Sequence, residues 1–355
     1  MITYWILYFY VLITTLLCSI KINEVIHSLF KSTLLLLLVS TLILFSGFKG
    51  LQVDPDSSNY IEWFHNLKET EVTSIYEQKD PAFYIIGTIV SALGLGVSYL
   101  FLTYAIIAIF SKLFLINITS YYRYSHLFIY LYFCRFYFVH DMTQIRVGVA
   151  IALGSIALII CYQTKKFYLS ILTFLLAMAF HFSIILISPF FVLFKLNYNF
   201  KSKVIPFVLL SFALLFYFAQ KNIINILNLE SLDRFSLYLN GTYEIKHISL
   251  LSVYLIIKLL ILLIILFNWN SLMNFDRLIA YLVITGLFFQ ISFMNIEAIS
   301  LRAAEVFSIF DLFLFIMPIK YISKNFTRTY FFCIIMIGAV FFRSSLKIMN
   351  SYTFA

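Results

Sequence analysis

The sequence predicts an all-α, polytopic helical membrane protein. Three observations carry this. Of 355 residues, 63% are hydrophobic and 12% charged. Apolar runs long enough to cross a bilayer follow one another almost to the end. Most Lys and Arg fall in short loops between those runs, as orientation by inner-leaflet charge requires. The pattern gives one integral membrane domain over residues 1–355, with about 12 transmembrane helices plus a re-entrant or surface helix. A formal net charge of +9 follows from these loops and does not call for nucleic acid. The lipid bilayer is the first partner implied.

Ile2 to Ile20 reads as a retained first span, because no basic segment precedes it and no cleavage site follows. Lys21 to Lys31 forms a cytoplasmic loop, and Ser32 to Phe48 returns the chain outside. The outer loop 49–80 then carries seven acids against three lysines. Its Asp54-Pro55-Asp56-Ser57 turn leads into a short helix with Tyr60, Ile61, Trp63, Phe64 and Leu67.

Pro81 to Val97 is apolar but short, and contains Gly87, Gly94 and Gly96. The basic loops at Lys165-Lys166, Lys195 to Lys203 and Lys320 to Arg328 agree in side only if this segment does not cross. It is therefore read as re-entrant, which requires protein or water over its backbone. Ser98 to Ile118 and His126 to Val139 follow as spans three and four.

His140-Asp141-Met142-Thr143-Gln144-Ile145-Arg146 opens span five, Gln144 to Tyr162. Asp141 with Gln144 three residues on makes a capping-box pattern. Arg146 then lies at the positive end of the helix dipole, where a cation wants an anion. It either binds a phosphate or snorkels to the membrane surface.

Phe167 to Phe194 is flanked by lysines and too long for one span. It reads as two short spans meeting at Phe180-His181-Phe182-Ser183, with Pro189 bending the second. His181 within a membrane span is a functional residue by default. Val204 to Gln220 is the next span, and 221–248 is a second outer loop. Ser249 to Phe267 and Leu278 to Met294 continue the bundle. Arg302 and Glu305 share a helix face at the outer start of span eleven. They are either an internal ion pair or a second phosphate site. Thr329 to Phe342 is span twelve. The scattered cysteines Cys18, Cys134, Cys161 and Cys333 have no metal-ligand spacing, and neither metal nor cofactor is expected.

Unexplained polar groups thus gather on the extracytoplasmic face, where an active site built at helix ends is expected. Several of these segments resemble the EpsG family, the Wzy-type polymerases of bacterial exopolysaccharide and O-antigen. They are Asp56-x-x-x-Tyr60, Asp80-Pro81-Ala82-Phe83-Tyr84, Gln144-Ile145-Arg146-Val147-Gly148-Val149-Ala150, Phe180-His181-Phe182-Ser183 and Leu301-Arg302. The likeness covers roughly residues 50 to 320. At Gln52-Val53-Asp54-Pro55 the chain departs from the Arg or Gly-rich sequence of many members, which leaves Lys49 as the basic residue nearest Asp56.

The resemblance implies a glycosyltransferase of the bacterial cytoplasmic (inner) membrane. Such enzymes join undecaprenyl-pyrophosphate-linked oligosaccharide repeat units at its outer face, alongside a flippase and a chain-length regulator of the same pathway. On this reading Arg146 and Arg302 bind pyrophosphate, and His181, Asp141 and Asp56 are the catalytic candidates. His140, Gln144, Tyr60, Asp80, Tyr84 and Glu305 position substrate. A lipid-linked oligosaccharide flippase and an O-antigen ligase remain the alternatives. A flippase would show charges along a path through the bilayer and internal repeats. A ligase would differ only in its acceptor.

Overall fold

The computed structural model of the chain describes residues 1–20, 24–50, 52–67, 80–226 and 252–353. All regular elements among them are helical. In order they are α1 (Ile2–Ser19), α2 (Glu24–Gly47), α3 (Ser57–Asn66), α4 (Pro81–Ala92), α5 (Val97–Asn117), α6 (Ser125–Tyr132), α7 (Ile145–Thr164) and α8 (Phe167–Phe180). After these come α9 (Ser188–Lys195), α10 (Val204–Ile226), α11 (Val253–Phe267), α12 (Asn274–Ser292), α13 (Glu297–Glu305), α14 (Ile309–Ile316) and α15 (Lys324–Ser345).

Among the described residues six helices are long and apolar enough to cross a membrane: α1, residues 28–47 of α2, α5, α7, α12 and α15 with the turn that follows it. Pro81–Ala92, Phe167–Phe180, Phe182–Lys195, Val204–Ala219 and Val253–Phe267 are apolar but shorter. The 12 residues of α4 rise about 18 Å, against a hydrocarbon core of roughly 30 Å. Gly94 closes the turn from α4 into α5 with φ +70°, which a side chain would resist.

Several boundaries differ from the sequence expectation. Span four does not end at Val139. α6 passes into wider-wound turns over Phe133–Thr143, where the Gln144 amide donates to the Val139 carbonyl five residues back. Asp141 therefore does not cap the next helix. Gln144 holds the cap position of α7, without a side-chain cap bond. α10 runs on to Ile226, so residues 221–226 are helical and not loop. The rest of the expected outer loop 221–248, and residues 51 and 68–79 of loop 49–80, lie outside the described residues. Arg302 and Glu305 belong to the short helix α13, which ends before α14 begins, and not to the start of a long span. The break at His181 falls where expected: α8 stops at Phe180, His181 is extended, and a tight turn of helix over Phe182–Ile187 leads into α9.

The chain forms two units, Met1–Ile185 with Ser323–Ala355, and Leu186–Ile322. In the first, α7 packs on α5 and, through the short turn at Lys165-Lys166, antiparallel on α8; α4 packs on α5 and α8. Gly148 lets α7 approach the Phe133–Thr143 stretch, since a Cβ there would stand 2.5 Å from the His140 carbonyl oxygen. In the second unit α12 packs on α10, α13 and α14.

Buried charge is handled alike in three places. Lys112 and Tyr132 both donate to Asp141, Lys258 and Tyr254 to Asp311, and Lys320 and Tyr321 to Asp276. A buried lysine or aspartate alone would be very costly, so each is paired and hydrogen-bonded.

The last described residues strap the loop after α2. The Asn350 amide donates to the Val53 carbonyl (3.0 Å) and the Gly50 amide to the Thr353 carbonyl (2.6 Å). Tyr352 stacks on Phe45, centroids 3.9 Å apart, and its hydroxyl donates to the Phe45 carbonyl. Tyr352→Ala is expected to loosen this loop by about 2 kcal/mol. Amide exchange at residues 48–56 should accelerate at least tenfold; unchanged exchange would show that the strap does not hold the loop.

Candidate active site

Helix ends bring three polar side chains of the first unit together. Asp80 immediately precedes α4, where the dipole favours a carboxylate and Pro81 has no amide to leave unpaired. Arg146 is the second residue of α7. His181 follows the last residue of α8. The hairpin of α7 and α8 explains the last two, because the start of one helix lies beside the end of the other. The packing of α4 on α8 then supplies Asp80.

The Asp80 carboxylate bridges the two cation-forming groups. Arg146 Nη1 donates to Asp80 Oδ2, and His181 Nδ1 lies 3.4 Å from Asp80 Oδ1. The side chains of Arg146 and His181 remain 20% and 25% exposed, whereas that of Asp80 is 7% exposed. The charge is thus held in place yet reachable. Arg146 Nε and His181 Nδ1 are both buried, and neither makes a hydrogen bond among the described residues, so His181 meets Asp80 by electrostatic contact alone.

Aromatic rings set the guanidinium plane. Arg146 Cζ lies 4.6 Å from the Trp63 ring centre, 5.6 Å from Tyr60 and 6.0 Å from Phe83. Trp63 is exposed, while Tyr60 and Tyr84 are buried. Burial pushes the Tyr60 hydroxyl up, with Arg146 opposing, so it stays protonated.

The platform α3 is anchored by a second charge cluster. Lys49 is fully buried; it donates to Asp54 at 2.6 Å and to the Met142 carbonyl, and lies 4.6 Å over Phe101. Burial pulls its ammonium down, against the Asp54 charge that raises it. Asp54 accepts from the amides of Asp56 and Ser57, so it, and not Asp56, satisfies the start of α3. Lys49 is accordingly spent on the scaffold and does not stand open beside Asp56. Asp56 itself is half-buried.

Of the residues singled out in the sequence, Tyr60, Asp80, Arg146 and His181 come together here. His140 is buried and stacks on Phe136, centroids 5.1 Å apart. Asp141 is buried against Lys112 and Tyr132. Gln144 is half-buried at the head of α7. Arg302, exposed, and Glu305, half-buried, lie in the second unit. Sequence reading missed Lys112, although a lone lysine inside an apolar run signals a buried partner. Lys258 carried the same signal.

The arrangement suits chemistry in which a fixed cation meets an anionic leaving group while an imidazole, oriented by a carboxylate, moves a proton. The model of the EpsG family matches residues 32–354. No curated protein and no solved structure matches the chain.

Proposed function

The chain belongs to the EpsG family, and from that premise we propose that it polymerises undecaprenyl-pyrophosphate-linked oligosaccharide repeat units. The observation that carries this reading is the Asp80 carboxylate held between Arg146 and His181 at three helix ends.

In the proposed step an acceptor sugar hydroxyl attacks the anomeric carbon of the donor glycan. The new C–O bond forms as the bond to the pyrophosphate oxygen breaks, and undecaprenyl pyrophosphate leaves with that electron pair. His181 takes the hydroxyl proton. Asp80, 3.4 Å from Nδ1, orients the imidazole once that contact tightens to a hydrogen bond in the substrate complex, leaving Nε2 for the acceptor. Arg146 carries the growing charge on the leaving group, Nη1 staying on Asp80 while its other nitrogens turn to phosphate oxygens. This reading gives the carboxylate role to Asp80, because Asp141 is committed to Lys112 and Tyr132. Arg302, which belongs to the other unit, is proposed as a phosphate ligand only on its place in the family pattern.

Reaction at the outer face of the bacterial cytoplasmic membrane is supported by charge. The turn between α7 and α8 holds Lys165 and Lys166, at the opposite end of both helices from Arg146 and His181. A dibasic turn favours the cytoplasm, so the site end faces outward.

The test is deletion of the gene, followed by gel analysis of the surface polysaccharide with wild-type or Arg146→Ala on a plasmid. Loss of the long-chain ladder, with single repeat units still reaching the surface and only the wild-type copy restoring length, is expected. Loss of every surface repeat unit would overturn the assignment in favour of a flippase or ligase.

A further inference from the structure

We propose that the Tyr104 hydroxyl is a substrate ligand, donating a hydrogen bond to the pyrophosphate held at Arg146; this rests on the reading of the site given above. Tyr104 belongs to α5 and is 1% exposed. Its ring sits edge-on to Phe180, the residue before His181, with centroids 5.7 Å apart. Phe83, three residues after Asp80, is also near it, with centroids 6.2 Å apart. The ring thus packs against neighbours of both members of the carboxylate–imidazole pair. Its hydroxyl is close enough to Arg146 and Asp80 for their charges to act on it.

That hydroxyl has no hydrogen-bond partner among the described residues. Buried hydroxyls are ordinarily paired, and four other deep tyrosines of this unit obey the rule. Tyr4 donates to the Asn350 carbonyl, Tyr130 to Ile335, Tyr137 to Leu42, and Tyr132 to Asp141. Tyr104 is an exception, and it lies close to two other buried nitrogens without a hydrogen-bond partner among the described residues, Arg146 Nε and His181 Nδ1. A guanidinium nitrogen can only donate, and a phenol donates well. Two unpaired donors beside a helix N-terminus call for a ligand rich in acceptors and negative charge, and a phosphate oxygen answers both. Tyr104 transfers no proton in this role. Its O–H bond stays intact while the hydrogen bond strengthens as charge builds on the leaving oxygen.

The test uses the full chain in lipid nanodiscs, with Tyr104→Phe beside Arg146→Ala. Three quantities are read: polymerisation rate on lipid-linked repeat units, affinity for sugar-free undecaprenyl pyrophosphate, and unfolding temperature without ligand. Tyr104→Phe is expected to lower the rate about 10- to 100-fold and to weaken binding about tenfold. Its unliganded unfolding temperature should hold or rise, since Phe removes an unpaired polar atom. Rate and affinity equal to wild type would overturn the proposal. So would a lost rate explained by a lowered unfolding temperature, because Tyr104 would then be structural. The Arg146→Ala arm separates the two levels: if it too binds normally, the site reading fails; if it alone loses binding, only the Tyr104 assignment falls.

Discussion

Arg146→Lys is expected to lower polymerisation about 100-fold, with the protein still accumulating in the membrane. The substitution keeps the positive charge and most of the stem. It removes the planar fork that can serve Asp80 and a phosphate together. It also removes the flat cation over Trp63, 4.6 Å from its ring centre. A lysine ammonium is a strongly hydrated point charge, and one donor direction would go to Asp80 before any reached the leaving group. The ladder length in a complemented deletion strain, with membrane abundance measured alongside, checks this. Wild-type ladders from Arg146→Lys would mean that charge alone suffices, and the bidentate role would be wrong.

Asp141→Ala is expected to destabilise the protein by about 3–5 kcal/mol, because it leaves the Lys112 ammonium buried without its counter-charge. Tyr132 would lose its acceptor in the same stroke. The informative companion is the double variant Lys112→Met with Asp141→Leu. Replacing a buried pair by apolar side chains of similar volume is often neutral or stabilising, so the unfolding temperature should recover. Polymerisation should recover with it if Asp141 only supports the fold. Recovered stability with no polymerisation would return Asp141 to the catalytic list and displace Asp80 from the role proposed here.

The two predictions turn on residues that stand only five apart in sequence, on either side of the start of α7, yet have separate fates. Asp141 looked like the cap of that helix and Arg146 its neighbour in a single polar corner. The wider-wound turns over Phe133–Thr143 put them in different surroundings. Such winding depends on how the stretch packs against α5, α7 and α15, and leaves no local mark that a capping pattern would not also explain.

Local physics was legible where it needed no partner. Apolar runs between basic turns announced membrane helices. The break at His181 was visible because Phe167 to Phe194 exceeds a span and is basic at both ends. The antiparallel seating of α7 and α8 follows from Lys165-Lys166 being too short for any other return. What the sequence by itself determined, then, was that the chain is helical, membrane-embedded and of the EpsG pattern, with Arg146 and His181 at helix ends. The tertiary structure decided which carboxylate meets the arginine: Asp80, 66 residues earlier, and not Asp141. It also decided that Lys49 and Lys112 are spent inside the scaffold. The physical reason is range. Helical periodicity and turn chemistry act within a few residues, whereas an ion pair between helices is fixed by register and depth, which the packed bundle alone sets.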